Sequence, residues 1–294
     1  SYQQIAFEVL HSYFDEYTDE EMSACVNGAY DSKFTAPEVA PIVKAGDAWF
    51  LELYHGKTAA FKDMALSILP YLMTTSLKKE GVTDKICILT ATSGDTGKAA
   101  LEGFAGVEGT EIVVFYPYGA VSQVQERQMT SQEGENTHVF AIKGNFDNAQ
   151  TGVKKIFSDD DFAAKLAERG IRLSSANSIN IGRLAPQIMY YFKSYADLLA
   201  AGAIALGDEV NFSVPTGNFG DIMAGFLAKK LGETGTDLET VFIGHGDCPE
   251  DAAALEQMLK EAGVQNVTTG YVGPVIGAHT GPGVLVVFFL GTHR

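Results

Sequence analysis

Lys85-Ile86-Cys87-Ile88-Leu89-Thr90 runs directly into Ala91-Thr92-Ser93-Gly94-Asp95-Thr96-Gly97 and then into an Ala-bearing stretch at 98–104. The first six residues read as a short apolar strand, the glycines and hydroxyls as a turn, and the last stretch as a helix. This unit recurs along the chain. Further strands are expected at 49–53, 111–116, 139–142, 171–173 and 210–214, and helices at 61–78, 149–157, 162–168, 185–199 and 222–231. Short apolar strands alternating with helices predict an α/β fold with mostly parallel sheets. Ahead of them the chain opens as helix: Ile5, Phe7, Val9, Leu10 and Phe14 share one face, and Thr18 with Glu21 forms a capping box for a second helix.

At 294 residues the chain exceeds the size of a usual single core, so two packed regions are expected. With 46% hydrophobic and 20% charged residues it is globular by composition. Its 21 Lys and Arg against 37 Asp and Glu leave a net charge of −16, a field that repels a phosphate backbone and argues against nucleic-acid binding. Cys25, Cys87 and Cys248 stand far apart with no CxxC pair, which predicts neither disulfides nor a metal site and reads as cytoplasmic. The longest apolar stretch, at 284–290, is too short to cross a bilayer, and the first residues carry no leader pattern. The absent initiator Met makes a fragment the expectation. A polar, Gly-bearing joint at 232–237 is the candidate boundary, followed by a strand at 240–244, a helix at 250–262, a strand at 266–272 and a terminal apolar strand.

Three constellations carry chemistry. In His55-Gly56-Lys57-Thr58-Ala59-Ala60-Phe61-Lys62-Asp63, Lys62 sits at a helix start. A lysine there is by default a solvated charge, but flanking Phe61, Met64 and Ala65 would hold its amine in a drier place and lower its pKa towards imine chemistry. The turn at 92–97 offers an anion free N–H groups and a helix dipole, and is neither a P-loop nor GxGxxG. Pro215-Thr216-Gly217-Asn218-Phe219-Gly220-Asp221 is a second turn of this kind. Each also has the plainer reading of a capped strand-to-helix turn. Together, one amine and two anion-type turns match what pyridoxal phosphate requires.

HGKTAAFKD at 55–63, TSGDTG at 92–97, NSINIGR at 177–183 and PTGNFGD at 215–221 resemble, in that order, the threonine synthases over about residues 1–232. The resemblance implies fold type II of the pyridoxal-phosphate enzymes, a tryptophan synthase β-like α/β fold of three-layer parallel sheets. Its small domain would fall at about 85–150 within an incomplete large domain. The implied activity is that of a carbon-oxygen lyase acting on phosphates, taking O-phospho-L-homoserine and water to L-threonine and phosphate. Carried over by residue, Lys62 is the Schiff-base lysine and proton shuttle. Ser93, Asp95 and Thr96 line the ring and the substrate carboxylate, while Gly217, Asn218, Phe219 and Gly220 cradle the cofactor phosphate. Asn180 and Arg183 face the substrate, with Arg183 towards its phosphate. The expected partner is this small-molecule substrate, with neither nucleic acid nor membrane, in a monomer or homodimer. Residues 238–294 instead resemble the C-terminal portion of DegV-type fatty-acid-binding proteins, which makes His279 the candidate for a fatty-acid carboxylate and adds an α/β tail that would extend the parallel sheet. An inactive hybrid and a DegV-type lipid module are the alternative functions.

Overall fold

In the computed structural model, residues 1–92, 94–177, 180–214, 219–232, 240–246, 249–261, 266–271 and 284–290 are described. α1 (Tyr2–Tyr13) and α2 (Asp19–Ala29) each begin on a capping box, Ser1 with Gln4 and Thr18 with Glu21. These side chains take up N–H groups that a helix start leaves without partners. β1 (Ile42–Ala45) and β2 (Ala48–Leu51) pair as an antiparallel hairpin turned at Gly46, whose φ is 60°. The strand expected at 49–53 is therefore one arm of a surface hairpin, with Phe50 55% exposed. The single helix expected at 61–78 is two, α3 (Asp63–Leu66) and α4 (Leu69–Lys79), because Pro70 suits a first turn and cannot continue a helix.

β3 (Lys85–Ala91), α5 (Asp95–Phe104), β4 (Thr110–Pro117), α6 (Gln123–Thr130), β5 (Thr137–Ile142), α7 (Phe146–Phe157), α8 (Asp160–Ala167) and β6 (Ile171–Ser175) build the central layer system. Its strands run β5-β4-β3-β6, parallel throughout. Side chains alternate across a strand, so Ile86 and Ile88 of β3 join Ile112, Val114, Ala99, Leu101, Phe104 and Met129 under α5 and α6. Cys87 and Leu89 face the other way, with Val113, Phe115, Ala149 and Val153 under α7. A parallel sheet covered on both faces explains the unbroken apolar strands of the sequence.

The chain leaves β3 outward through β4 and β5 and returns to β6 on the opposite side of β3, so the order reverses at β3. In open parallel sheets that reversal opens a crevice at the carboxyl ends of the strands. α9 (Ile181–Leu184), a 3₁₀ turn (Ala185–Gln187) and α10 (Met189–Ala200) follow β6; Pro186 in the turn delays the helix expected from 185. Residues 210–214, expected as a strand, are irregular. A strand persists only where a neighbour takes up its N–H and C=O groups, and no described strand pairs with them. α11 (Gly220–Gly232) comes next.

The chain divides into two compact units, Ser1–Gly225 and Phe226–Arg294. In the second, β7 (Thr240–Gly246), α12 (Pro249–Glu261), β8 (Asn266–Tyr271) and β9 (Val284–Leu290) form a separate sheet of order β8-β7-β9. β7 and β8 are parallel and β9 is antiparallel, so these strands do not extend the parallel sheet as expected. Glu256 joins helix to strand, accepting from Lys260 at 2.6 Å and from Thr269 at 2.6 Å. Among the described residues no helix is long and apolar enough to cross a membrane, and no cluster of three metal-ligating side chains occurs.

Candidate functional site

The turn after β3 is organised by a buried hydroxyl. Thr92 Oγ1 accepts from the N–H groups of Gly94 and Gly97, each at 2.9 Å, and donates to the Gly94 carbonyl at 3.0 Å. Its capacity is thereby used on the turn itself. Gly94 has φ 149°, and a Cβ there would lie 2.4 Å from the Gln125 amide. That amide donates to Asp95 Oδ1 at 2.7 Å, which fixes Asp95 in the first turn of α5. Asp95 Oδ2 is 3.7 Å from Lys62 Nζ. Thr96 follows, half-buried in the same turn.

Lys62 ends a loop wound about a carboxylate. Asp63, 4% exposed, accepts from the Thr58 N–H at 2.8 Å and the Thr58 hydroxyl at 2.5 Å. A Cβ on Gly56 would lie 2.4 Å from that carboxylate, and Ala59 adopts φ 56°, a left-handed conformation that costs a non-glycine residue about 1 kcal/mol or more. The Lys62 side chain is 16% exposed, its Nζ 4.6 Å from the Phe61 ring centroid. Burial holds its amine below the ordinary lysine range; Asp95 opposes this, and the charge of Arg183 adds to it.

The segment leaving β6 supplies that arginine. Asn180 Oδ1 caps α9 by accepting from the Gly182 N–H at 2.9 Å, and its Nδ2 donates to the Ser175 carbonyl at 2.9 Å, so its amide is engaged with the loop. Arg183 is 4% exposed, its Nη1 donates to the Ala176 carbonyl at 2.7 Å, and burial draws its pKa down to about 10. Arg183 Nε, Asn177 Oδ1 and Thr90 Oγ1 are buried polar atoms without a hydrogen-bond partner among the described residues. All three belong to the ends of β3 and β6 or the segments that leave them, and such orphaned atoms call for a polar ligand or water.

At the start of α11 the left-handed position falls on Phe219, φ 61°, rather than on a glycine. Met223 N–H donates to the Phe219 carbonyl at 2.9 Å, and Gly220 opens the helix. Asp221 accepts from the hydroxyls of Tyr190 and Tyr191, Tyr190 lies 3.4 Å from Gln187 Oε1, and Gln187 Nε2 donates to the Arg183 carbonyl at 3.1 Å. The structure thus brings Lys62 to Asp95, puts Arg183 within electrostatic reach of Lys62, and connects Phe219 and Gly220 to Arg183 through three further side chains. Ser93, Gly217, Asn218 and His279 lie outside the described residues.

Gln125, Gln187, Tyr190 and Tyr191 are organising residues that sequence reading did not select. Gln125 had a signal in its capping box with Ser122; the adjacent tyrosines, in an apolar helix, carry none. A cleft of about 500 Å³ lies elsewhere, lined by Lys33, Lys57, Asp63, Tyr71 and Glu102 but not by Lys62, Asp95 or Arg183. Its lysines are already engaged, Lys57 with Glu102 at 3.2 Å and Lys33 with Tyr71 at 3.0 Å, so unpartnered groups favour the Lys62 site.

Comparison with known proteins accords with this geometry. The chain is 42% identical over 233 residues to the threonine synthase of Pseudomonas aeruginosa, an alignment covering 79% of this chain and 47% of that one. The crystal structure of yeast threonine synthase superposes with a TM-score of 0.68 at 37% identity, covering 79% of this chain and 46% of that one. The structure of pyridoxal-phosphate-bound threonine synthase from Brucella melitensis gives 0.71 at 32% identity, covering 92% and 68%. The chain thus spans about half the length of curated relatives such as that of P. aeruginosa. Residues 223–292 match the family described as uncharacterised protein, DegV family. The shared fold and the identity across most of its length establish that this chain belongs to the threonine synthase family.

Proposed function

We propose that residues 1–232 bind pyridoxal phosphate and act in the conversion of O-phospho-L-homoserine and water to L-threonine and phosphate, with residues 238–294 as a separate segment. One observation carries the reading: a buried lysine amine whose charge is disfavoured lies between a carboxylate, 3.7 Å away, and the field of a buried guanidinium with an unpartnered Nε. The residues fit the cofactor. Lys62 would hold the aldehyde carbon, Gly217, Asn218, Phe219 and Gly220 the phosphate, and Ser93, Asp95 and Thr96 the ring side. When bound, the conjugated ring supplies the electron sink that lets protons leave Cα and Cβ and phosphate leave Cγ.

This chain's own groups do the rest. The Lys62 amine, unprotonated more readily than a solvated lysine, takes protons at Nζ and returns them. Asp95 stabilises Nζ in its protonated form, so the pair works as a reversible proton store. Arg183 and Asn180 orient the substrate, and the Arg183 guanidinium binds its phosphate before and during departure, when charge accumulates on it. Burial of that guanidinium strengthens the interaction by excluding water. The free Cys25 and Cys87 favour a cytoplasmic setting for this activity.

The test is to mix the protein with pyridoxal phosphate, reduce with borohydride and map the adduct by mass spectrometry. The reading expects the label on Lys62 and, in the same protein, phosphate release from O-phosphohomoserine. Label spread over exposed lysines, or retained in full by Lys62→Ala, refutes the assignment.

A further inference from the structure

We infer that Asp221, clasped by Tyr190 and Tyr191, is a positioning residue that sets the start of α11, Phe219 and Gly220 included, against the Arg183 segment. This rests on reading residues 217–220 as the cradle of the cofactor phosphate. Tyr190 and Tyr191 are 1% and 6% exposed, yet both hydroxyls donate to one oxygen, Asp221 Oδ1, the second at 2.9 Å. The Tyr191 hydroxyl also lies 3.0 Å from the Asp221 carbonyl. Two donors converging on one carboxylate oxygen make charge-assisted bonds, stronger and more directional than neutral ones.

A second contact stands one turn further along α11. A Cβ on Gly225 would lie 2.9 Å from the Tyr191 ring, so the helix backbone rests against that ring, which also meets Phe212 edge to face with centroids 4.8 Å apart. Positions 221 and 225 share a helix face, and together they fix both the rotation and the axial position of the helix start. On the other side, Gln187 carries the connection from Tyr190 to the Arg183 carbonyl.

Simple packing would not need a carboxylate here. In the first turn of a helix an unclasped carboxylate competes with a phosphate for the same N–H groups and the same positive end of the dipole. Held by the tyrosines, Asp221 gives rigidity without that competition. Burial raises both phenol pKa values far above their ordinary value, so they remain donors at any working pH.

The experiment compares dissociation constants for pyridoxal phosphate and for pyridoxal, which has the same aldehyde and no phosphate. Loss of general structure weakens both alike; loss of the cradle changes their ratio. In Tyr190→Phe/Tyr191→Phe the preference for the phosphorylated aldehyde should fall about tenfold, and adding Asp221→Asn should restore most of it by removing the freed charge. Tyr191→Phe alone, the milder variant, should lose about threefold. An unchanged ratio in the Tyr variants, whatever their stability, overturns the inference while leaving the cofactor reading intact. A wild-type protein that binds both aldehydes equally overturns the cradle reading itself and the inference with it.

Discussion

Lys62 Nζ lies 3.7 Å from Asp95 Oδ2, joining the loop that precedes α3 to the first turn of α5. The pair brings two sequence motifs into one site, and its electrostatics are unbalanced: burial and Arg183 push the amine towards neutrality, while Asp95, with a smaller contribution from Asp63, opposes them.

Opposite pH shifts follow from that imbalance. Asp95→Asn removes the charge that raises the Lys62 pKa while keeping an acceptor for Gln125, so adduct formation with pyridoxal phosphate should begin at lower pH than in the wild type. Arg183→Gln removes a charge that lowers it, and the profile should move to higher pH. Initial rates of borohydride-trapped adduct against pH check both signs, and shifts in the same direction contradict the electrostatics.

Lys62 should also destabilise the protein that contains it. An unfolded lysine titrates near 10.4, and in the folded protein it titrates lower. Between those two values the unfolded chain binds more protons, so stability rises with pH there, and below the folded value the cost of the buried charge is complete. Lys62→Met should therefore raise Tm at pH 7. The gain should fade as pH approaches 10, which thermal melts across that range will show.

The proposed phosphate-binding role of Arg183 predicts that the crevice also takes inorganic anions. Millimolar phosphate should raise the wild-type Tm, by RT ln(1 + [L]/Kd) in free energy, and should leave Arg183→Gln unmoved. An equal rise in both proteins would place phosphate binding elsewhere.

Gly103 permits α5 to lie against the end of α3. A Cβ there would stand 2.3 Å from the Leu66 carbonyl oxygen, a backbone atom that cannot rotate aside. Gly103→Ala gains about 1 kcal/mol of helix propensity but should lose about 1–3 kcal/mol overall through the forced shift. Denaturant unfolding gives the sign, and slower trapping at Lys62 would show that the displacement reaches the site.

Much of this architecture is local and could be read along the chain. The strand-turn-helix unit at 85–104 depends on residues in sequence contact: an apolar run buried on both faces, Thr92 closing the turn and Gly94 allowing its left-handed step. Capping at Thr18 and Glu21 is local for the same reason. The four motifs were visible because each concentrates glycines with hydroxyl or amide side chains just ahead of a helix.

What stayed hidden depends on neighbours distant in sequence. Residues 210–214 have the alternation of a strand yet form none, since a strand requires a partner for its backbone groups. Tyr190 and Tyr191 look like core aromatics until Asp221 folds back onto them. Lys62 itself shows the division most clearly. Its residue type and its place before a helix are written in the chain, but whether its amine is charged depends on Arg183 and Asp95, which reach it only after β3 and β6 become neighbours, because desolvation and Coulomb terms act through space and not along the backbone.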